Sequence, residues 1–156
     1  MEKTNATRLL DAAKIGYELR EYAYTEDDLS GVHAAQVLGM DPDRVFKTLV
    51  ARGDRTGVCV FCIPVAAELE LKRAAAVSGN KKLEMVHVRD LLGLTGYIRG
   101  GCSPVGMKKK YPTYIDETAA LYDAIAVSAG KRGLQMLLSP EDLRAYCDAQ
   151  FADIAQ

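Results

Sequence analysis

The chain has 156 residues, 49% of them hydrophobic and 26% charged, with a formal net charge of −1 at neutral pH. These are ordinary globular values, which argue against disorder. The length suits one domain over 1–156, able to bury about two-thirds of its unfolded surface without disulfides or metals.

Asn5 to Lys14 reads as a helix with Ala6, Leu9, Leu10 and Ala13 on its apolar stripe and Gly16 as its stop. The residues before it lack a basic start followed by an apolar core, so no secretory signal is expected. Tyr17 to Tyr22 alternates loosely like a half-exposed strand. Ser30 is placed to cap a short helix through Val32, Ala35 and Leu38, closed by Gly39. Asp41-Pro42-Asp43-Arg44 reads as a helical or tight turn. Val45 to Ala51 and Val58 to Val65 then form a hairpin around Gly53-Asp54-Arg55-Thr56-Gly57.

Glu68 to Ser78 reads as a helix, and His87 to Leu92 as a shorter one. Further strands are expected at Tyr97-Ile98-Arg99, Thr113-Tyr114-Ile115, Ala124 to Ser128 and Leu134 to Leu138. Ser139-Pro140-Glu141-Asp142 is a strong helix start, opening a final helix with Leu143, Tyr146, Cys147, Phe151 and Ile154 on its apolar face. Strands separated by helices early and by turns late imply a mixed α/β sheet. The longest apolar run, Val58 to Ala67, is broken by Pro64 and too short for a bilayer. A soluble, cytoplasmic protein is the expectation.

Cys59 and Cys62 have redox spacing but sit in an unpunctuated strand pattern, where positions three apart face opposite ways. They are expected to be reduced core residues rather than a disulfide or metal pair. His33 and His87 lie in no metal motif, and there is no P-loop or G-x-S-x-G elbow, so chemistry through imidazole is not indicated. No metal or organic cofactor is expected. The basic residues cluster at Lys72-Arg73, Lys81-Lys82, Lys108-Lys109-Lys110 and Lys131-Arg132. They are either solvated loop charges or a phosphate-binding face.

Lys47 is the informative exception. It stands in Val45-Phe46-Lys47-Thr48-Leu49, a strand with two largely apolar faces. An unpaired ammonium costs several kcal/mol when buried, so Lys47 either snorkels at a sheet edge or meets a cavity or ligand anion. Gly100-Gly101-Cys102-Ser103-Pro104-Val105-Gly106 is either a turn or a loop whose backbone N–H groups approach a ligand. Cys102 would be a nucleophile there only with a base that the sequence does not identify. Ser128-Ala129-Gly130-Lys131-Arg132-Gly133 repeats the pattern of paired glycines around bases, and also reads as a hairpin.

Taken together, several ordered motifs resemble the YbaK/EbsC family. Its members are free-standing Cys-tRNA(Pro) deacylases related to the editing domain of bacterial prolyl-tRNA synthetases. The matching stretches are Asp41 to Leu49, Ile63-Pro64-Val65-Ala66, Lys81 to Met85, Thr95 to Gly106, Gly130 to Leu134 and the terminal Phe151 to Ala155. The resemblance implies a mixed α/β fold with a curved, partly barrel-like sheet, flanking helices and a pocket for an aminoacylated tRNA 3′ end. It implies that Lys47 is the essential lysine holding the terminal nucleotide, that Tyr22 lines the pocket, and that Gly100 and Gly101 position the scissile carbonyl. Thr48, Ser103, Pro104, Gly130, Lys131, Arg132 and Gln135 fall in the stretches expected to contact substrate. The family mechanism is attack by the substrate cysteine's own thiol on the ester, with tRNA(Pro) as partner and prolyl-tRNA synthetase as a neighbour. Two positions depart from the pattern: Gln135 stands where Cys-specific members carry aspartate, and Ser30 where an aromatic residue often precedes the glycine. Removal of alanine or another small amino acid is therefore the alternative activity, and a non-catalytic tRNA- or synthetase-binding module the alternative class.

Overall fold

The computed structural model describes residues 3–156. In chain order it contains α1 (Asn5–Ala12), β1 (Glu18–Glu21), α2 (Gly31–Leu38), a 3-10 turn (Pro42–Arg44), β2 (Phe46–Gly53) and β3 (Gly57–Pro64). Next come α3 (Leu71–Val77), β4 (Leu83–Met85), α4 (Val88–Thr95), β5 (Thr113–Asp116) and a second 3-10 turn (Glu117–Leu121). The chain closes with β6 (Ile125–Lys131), β7 (Leu134–Leu138), α5 (Pro140–Cys147) and β8 (Gln150–Ala152).

The strands form two sheets, β1-β7-β6 and β4-β2-β3-β5-β8. The first is antiparallel; the second mixes the antiparallel β4-β2-β3 ladder with parallel β3-β5 and β5-β8 pairs. A parallel bridge between Val45 and Ala126 ties the start of β2 to β6. The sheets thus meet at one corner, and among the described residues they do not close into a barrel.

Local chemistry accounts for most boundaries. Ser30 accepts from the His33 N–H, and Gly39 ends α2 at φ 67°, as the sequence predicts. Ser139 caps α5 with Pro140 in its first turn. The α1 helix ends earlier than Gly16: Lys14 takes the left-handed conformation (φ 59°), and the Ile15 N–H donates to the Leu10 carbonyl. That bond satisfies an orphan carbonyl without needing glycine. The helix expected from Glu68 starts only at Leu71, because Glu68 exchanges backbone bonds with Gln156 and the Glu70 N–H donates to Ile154. Tyr97-Ile98-Arg99 is loop, not strand, and Leu83–Met85 is a strand that the periodicity did not reveal. Phe151 and Ile154 leave the last helix, which Asp148 ends at φ 52°; Phe151 lies in β8, where it pairs with β5.

The two faces of β3 build separate cores. Cys62 packs with Phe46, Ile115, Ile125, Val127 and Met136, whereas Cys59 packs with Phe61, Ile63, Ala74 and Tyr114 on the other side. Both cysteines are free and buried. Among the described residues no helix is long and apolar enough to cross a membrane.

Candidate functional site

The sheet register itself creates a gap along β2. The Val65 N–H donates to the Val45 carbonyl (2.8 Å), so odd-numbered residues of β2 turn their main chain toward β3. Even-numbered residues turn theirs the other way, where the Val86 N–H donates to the Val50 carbonyl (3.0 Å). On that side β4 pairs only with residues 51–53, and the bridge to β6 lies at Val45. The intervening main chain, centred on Thr48, borders an opening between the two sheets. A cavity of about 410 Å³ fills that opening, within the size range of small-molecule sites.

Tyr22, Lys47, Thr48, Gly100 and Gln135 all line this cavity. They come from β2, β7, the segment after β1, and the loop after α4, so they meet only in the folded chain. The start of α2 forms one wall, and it approaches the residue following β3 so closely that a Cβ at Gly31 would overlap Val65. Val88 and Leu91 of α4 form part of another.

Lys47 is half-buried and has no carboxylate within ion-pairing distance among the described residues. Burial lowers its pKa from the ordinary lysine value, and the more distant Glu68 carboxylate partly opposes that. Lys47 is therefore a lining residue whose cation is short of counter-charge. Arg99 is the other cation of the lining. Thr48 makes a long contact from Oγ1 to the Cys62 Sγ (3.8 Å), leaving its main chain on the open strand edge.

The remaining residues that the resemblance singled out do not line the cavity. They brace the loop that does. A Cβ on Gly101 would lie 3.0 Å from the Lys131 Cα, so the two glycine-containing loops pack backbone to backbone. The Arg132 Nε donates to the Arg99 carbonyl (2.9 Å), next to Gly100, which sits at φ 85°. Gly130 (φ 106°) leaves room for the Tyr97 ring, whose hydroxyl donates to the Val105 carbonyl. Ser103 is fully buried and accepts from the Val105 N–H, while the Pro104 carbonyl accepts from the Cys147 thiol (3.6 Å).

Cys102 also lines the cavity, but burial pushes its thiol up to about 11, with a bond to Thr95 only partly offsetting this. Among the described residues no histidine, aspartate or glutamate lines the cavity to take its proton. His33 instead sits 3.6 Å from Asp28, and His87 begins α4. Among the described residues no cluster of three or more His, Cys, Asp or Glu side chains is arranged to hold a metal ion.

Ser128 is a lining residue that sequence reasoning passed over as part of a hairpin. It stands directly opposite Gln135 across β6 and β7, and its Oγ accepts from the Gly130 N–H (3.1 Å) at a strand irregularity. Its signal was present: a lone hydroxyl in the apolar run Ile125 to Ala129.

Comparison with known proteins places this geometry in a family. The chain is 52% identical over 153 residues to EbsC of Enterococcus faecalis (strain ATCC 700802 / V583), covering 98% of this chain and 93% of that one. EbsC bears the name of a Cys-tRNA(Pro)/Cys-tRNA(Cys) deacylase. A proline–tRNA ligase of Shouchella clausii (strain KSM-K16) is 32% identical over 100 residues, which are 64% of this chain and 17% of the ligase. A crystal structure described as a trans-editing enzyme for prolyl tRNA synthetase superposes with a TM-score of 0.83 at 26% identity, covering 100% of this chain and 99% of that one. The aminoacyl-tRNA editing domain matches residues 29–146, from the start of the α2 wall through β7 and into α5, and the chain belongs to that family.

Proposed function

We propose that this protein is a trans-editing deacylase that cleaves the ester of mischarged tRNA(Pro), foremost Cys-tRNA(Pro), in the cavity between the two sheets. The observation that carries the reading is the convergence of Lys47, Thr48, Gly100, Tyr22 and Gln135 on one opening large enough for an aminoacyl group with part of its nucleotide. Membership of the editing family and the names of EbsC and the trans-editing structure support it. Lys47 holds the 3′-terminal nucleotide through its phosphate or sugar, as a fixed cation rather than a base. The backbone at Gly100 orients the scissile carbonyl and supplies an N–H donor to the oxyanion, while Gly101, whose N–H donates to the Ile98 carbonyl (3.0 Å), holds that loop in place.

The nucleophile is the substrate's own thiol. Its sulfur bonds to the ester carbonyl carbon, the bond from that carbon to the ribose oxygen breaks, and the thiol proton ends on the ribose hydroxyl. The products are a cyclic thiolactone and free tRNA. Proximity within one bound residue supplies much of the rate, which suits a cavity lined, among the described residues, by no histidine or carboxylate. The protein acts in the cytoplasm beside prolyl-tRNA synthetase.

The test is ester loss from tRNA(Pro) charged separately with cysteine, alanine or proline. Rapid loss of cysteine with thiolactone as product is expected. Alanine released faster than cysteine would remove the thiol mechanism, and tRNA binding without turnover of any substrate would make this a binding module.

A further inference from the structure

The cavity reaches the surface beside α4. Val88 lines it and is 61% exposed, and the lining residue Arg99 is exposed as well. At about 100° per residue, Leu92, Gly96, Arg89 and Gly93 continue from Val88 around the outer side of α4. All four are exposed, whereas Leu91, Leu94 and Thr95 turn inward. Lys108 joins this face from the loop that follows. Its N–H donates to the Thr95 carbonyl (3.1 Å), and its Cγ lies 3.4 Å from where a Cβ at Gly96 would stand.

Arg89, Arg99 and Lys108 therefore surround the mouth on the α4 side, and among the described residues none of them is ion-paired. The neighbouring cations are occupied: Lys110 faces Asp148 (3.6 Å), and Arg132, which braces Arg99, faces Glu26 (3.9 Å). Asp90, the one acid of α4, is turned about 100° from Arg89. Uncompensated cations at the mouth of a nucleotide-holding cavity suit the polyanion to which that nucleotide is joined. The helix between them is bare. A Cβ at Gly93 would meet nothing within 4 Å, so internal packing does not require a glycine that weakens the helix interior. Its absent side chain lets a strand outside lie close against the helix.

We infer that the outer face of α4, with Arg89 and Lys108, receives the unpaired sugar-phosphate strand that precedes the esterified nucleotide. The strand leaves the cavity past Val88 and Arg99. This rests on the deacylase reading above and adds a docking surface to it. The cavity holds the aminoacyl end, and α4 grips the nucleotides before it. Phosphate contacts position a strand without reading its sequence, so this face does not by itself select one tRNA.

The test compares cysteinyl-tRNA(Pro) with the 3′-O-cysteinyl ester of adenosine 5′-phosphate, which keeps the terminal nucleotide and lacks every earlier phosphate. Arg89→Gln combined with Lys108→Gln should lower kcat/KM for the tRNA at least about tenfold. Its log–log salt dependence should become shallower by about 1.4, or about 0.7 for each single-stranded phosphate. The mononucleotide ester should change by less than about twofold. Gly93→Gln should raise Tm by about 2 °C, because glutamine is the better helix former, yet cost the tRNA at least about fivefold and spare the short ester. Full activity of the double variant on tRNA, an unchanged salt slope, or equal losses on both substrates would overturn the inference. If the wild type cleaves neither ester, the deacylase reading falls separately, and affinity for uncharged tRNA(Pro) decides the surface. Binding about tenfold weaker in the double variant would then support it, and unchanged binding would overturn it.

Discussion

Replacing Lys47 with methionine separates a ligand-holding cation from a structural one. Methionine keeps most of the apolar stem that packs at the cavity wall and removes only the ammonium. In the free protein that ammonium has no ion pair among the described residues, and burial already disfavours its charge. The change should therefore move stability by no more than about 0.5 kcal/mol, or about 2 °C in Tm for a chain of this size. Because the folded-state pKa is depressed below the ordinary 10.5, the unfolded chain binds the proton more tightly between the two values. The wild type should consequently gain stability relative to Lys47→Met as pH rises through that alkaline window, with a constant difference at neutral pH. Activity should respond differently. A charge-assisted contact to the tRNA end contributes about 1.5–3 kcal/mol, so kcat/KM for deacylation should fall about 10- to 150-fold. The dependence of log kcat/KM on log salt should also become shallower by about 0.7 if the contact is to a single-stranded phosphate. Thermal melts and single-turnover deacylation at several salt concentrations read both effects. Full activity in the variant, or a Tm drop of many degrees, would refute the argument.

Two further substitutions test the division between cavity and bracing loops. Cys102→Ala should retain kcat/KM within a few-fold, since burial holds this thiol protonated at neutral pH; loss of turnover in a folded variant would reinstate it as a nucleophile. Gly130→Ala should destabilise by about 1–3 kcal/mol, because it forces a side chain at φ 106° and sets its Cβ 3.0 Å from the Tyr97 ring. Chemical denaturation measures that cost, and a neutral result would mean that the loop is free to shift.

Much of this protein is written locally. Ser30, Gly39, Ser139 and Pro140 mark helix ends through hydrogen bonds made within a few residues, so the sequence alone determined them. The alternation in Val58 to Ile63 determined that Cys59 and Cys62 would enter different cores, because a strand has a period of two. The same pattern made Lys47 an anomaly, but it encodes which face a residue takes and not which strand lies beside it. Only the tertiary structure decided that β6 meets β2 at Val45 and then leaves it, opening the cavity that Lys47 and Thr48 border. Non-local pairing also turned Glu68–Glu70 away from helix and drew Phe151 into β8, since a free backbone edge outweighed weak local preference. The partnership of Ser128 with Gln135 depends on the β6–β7 register, and the want of a hydrogen-bond partner at the buried Gln135 Oε1 depends on what surrounds it in space. A sequence can state that a glutamine is present; its lack of a partner exists only once the sheets have closed around it.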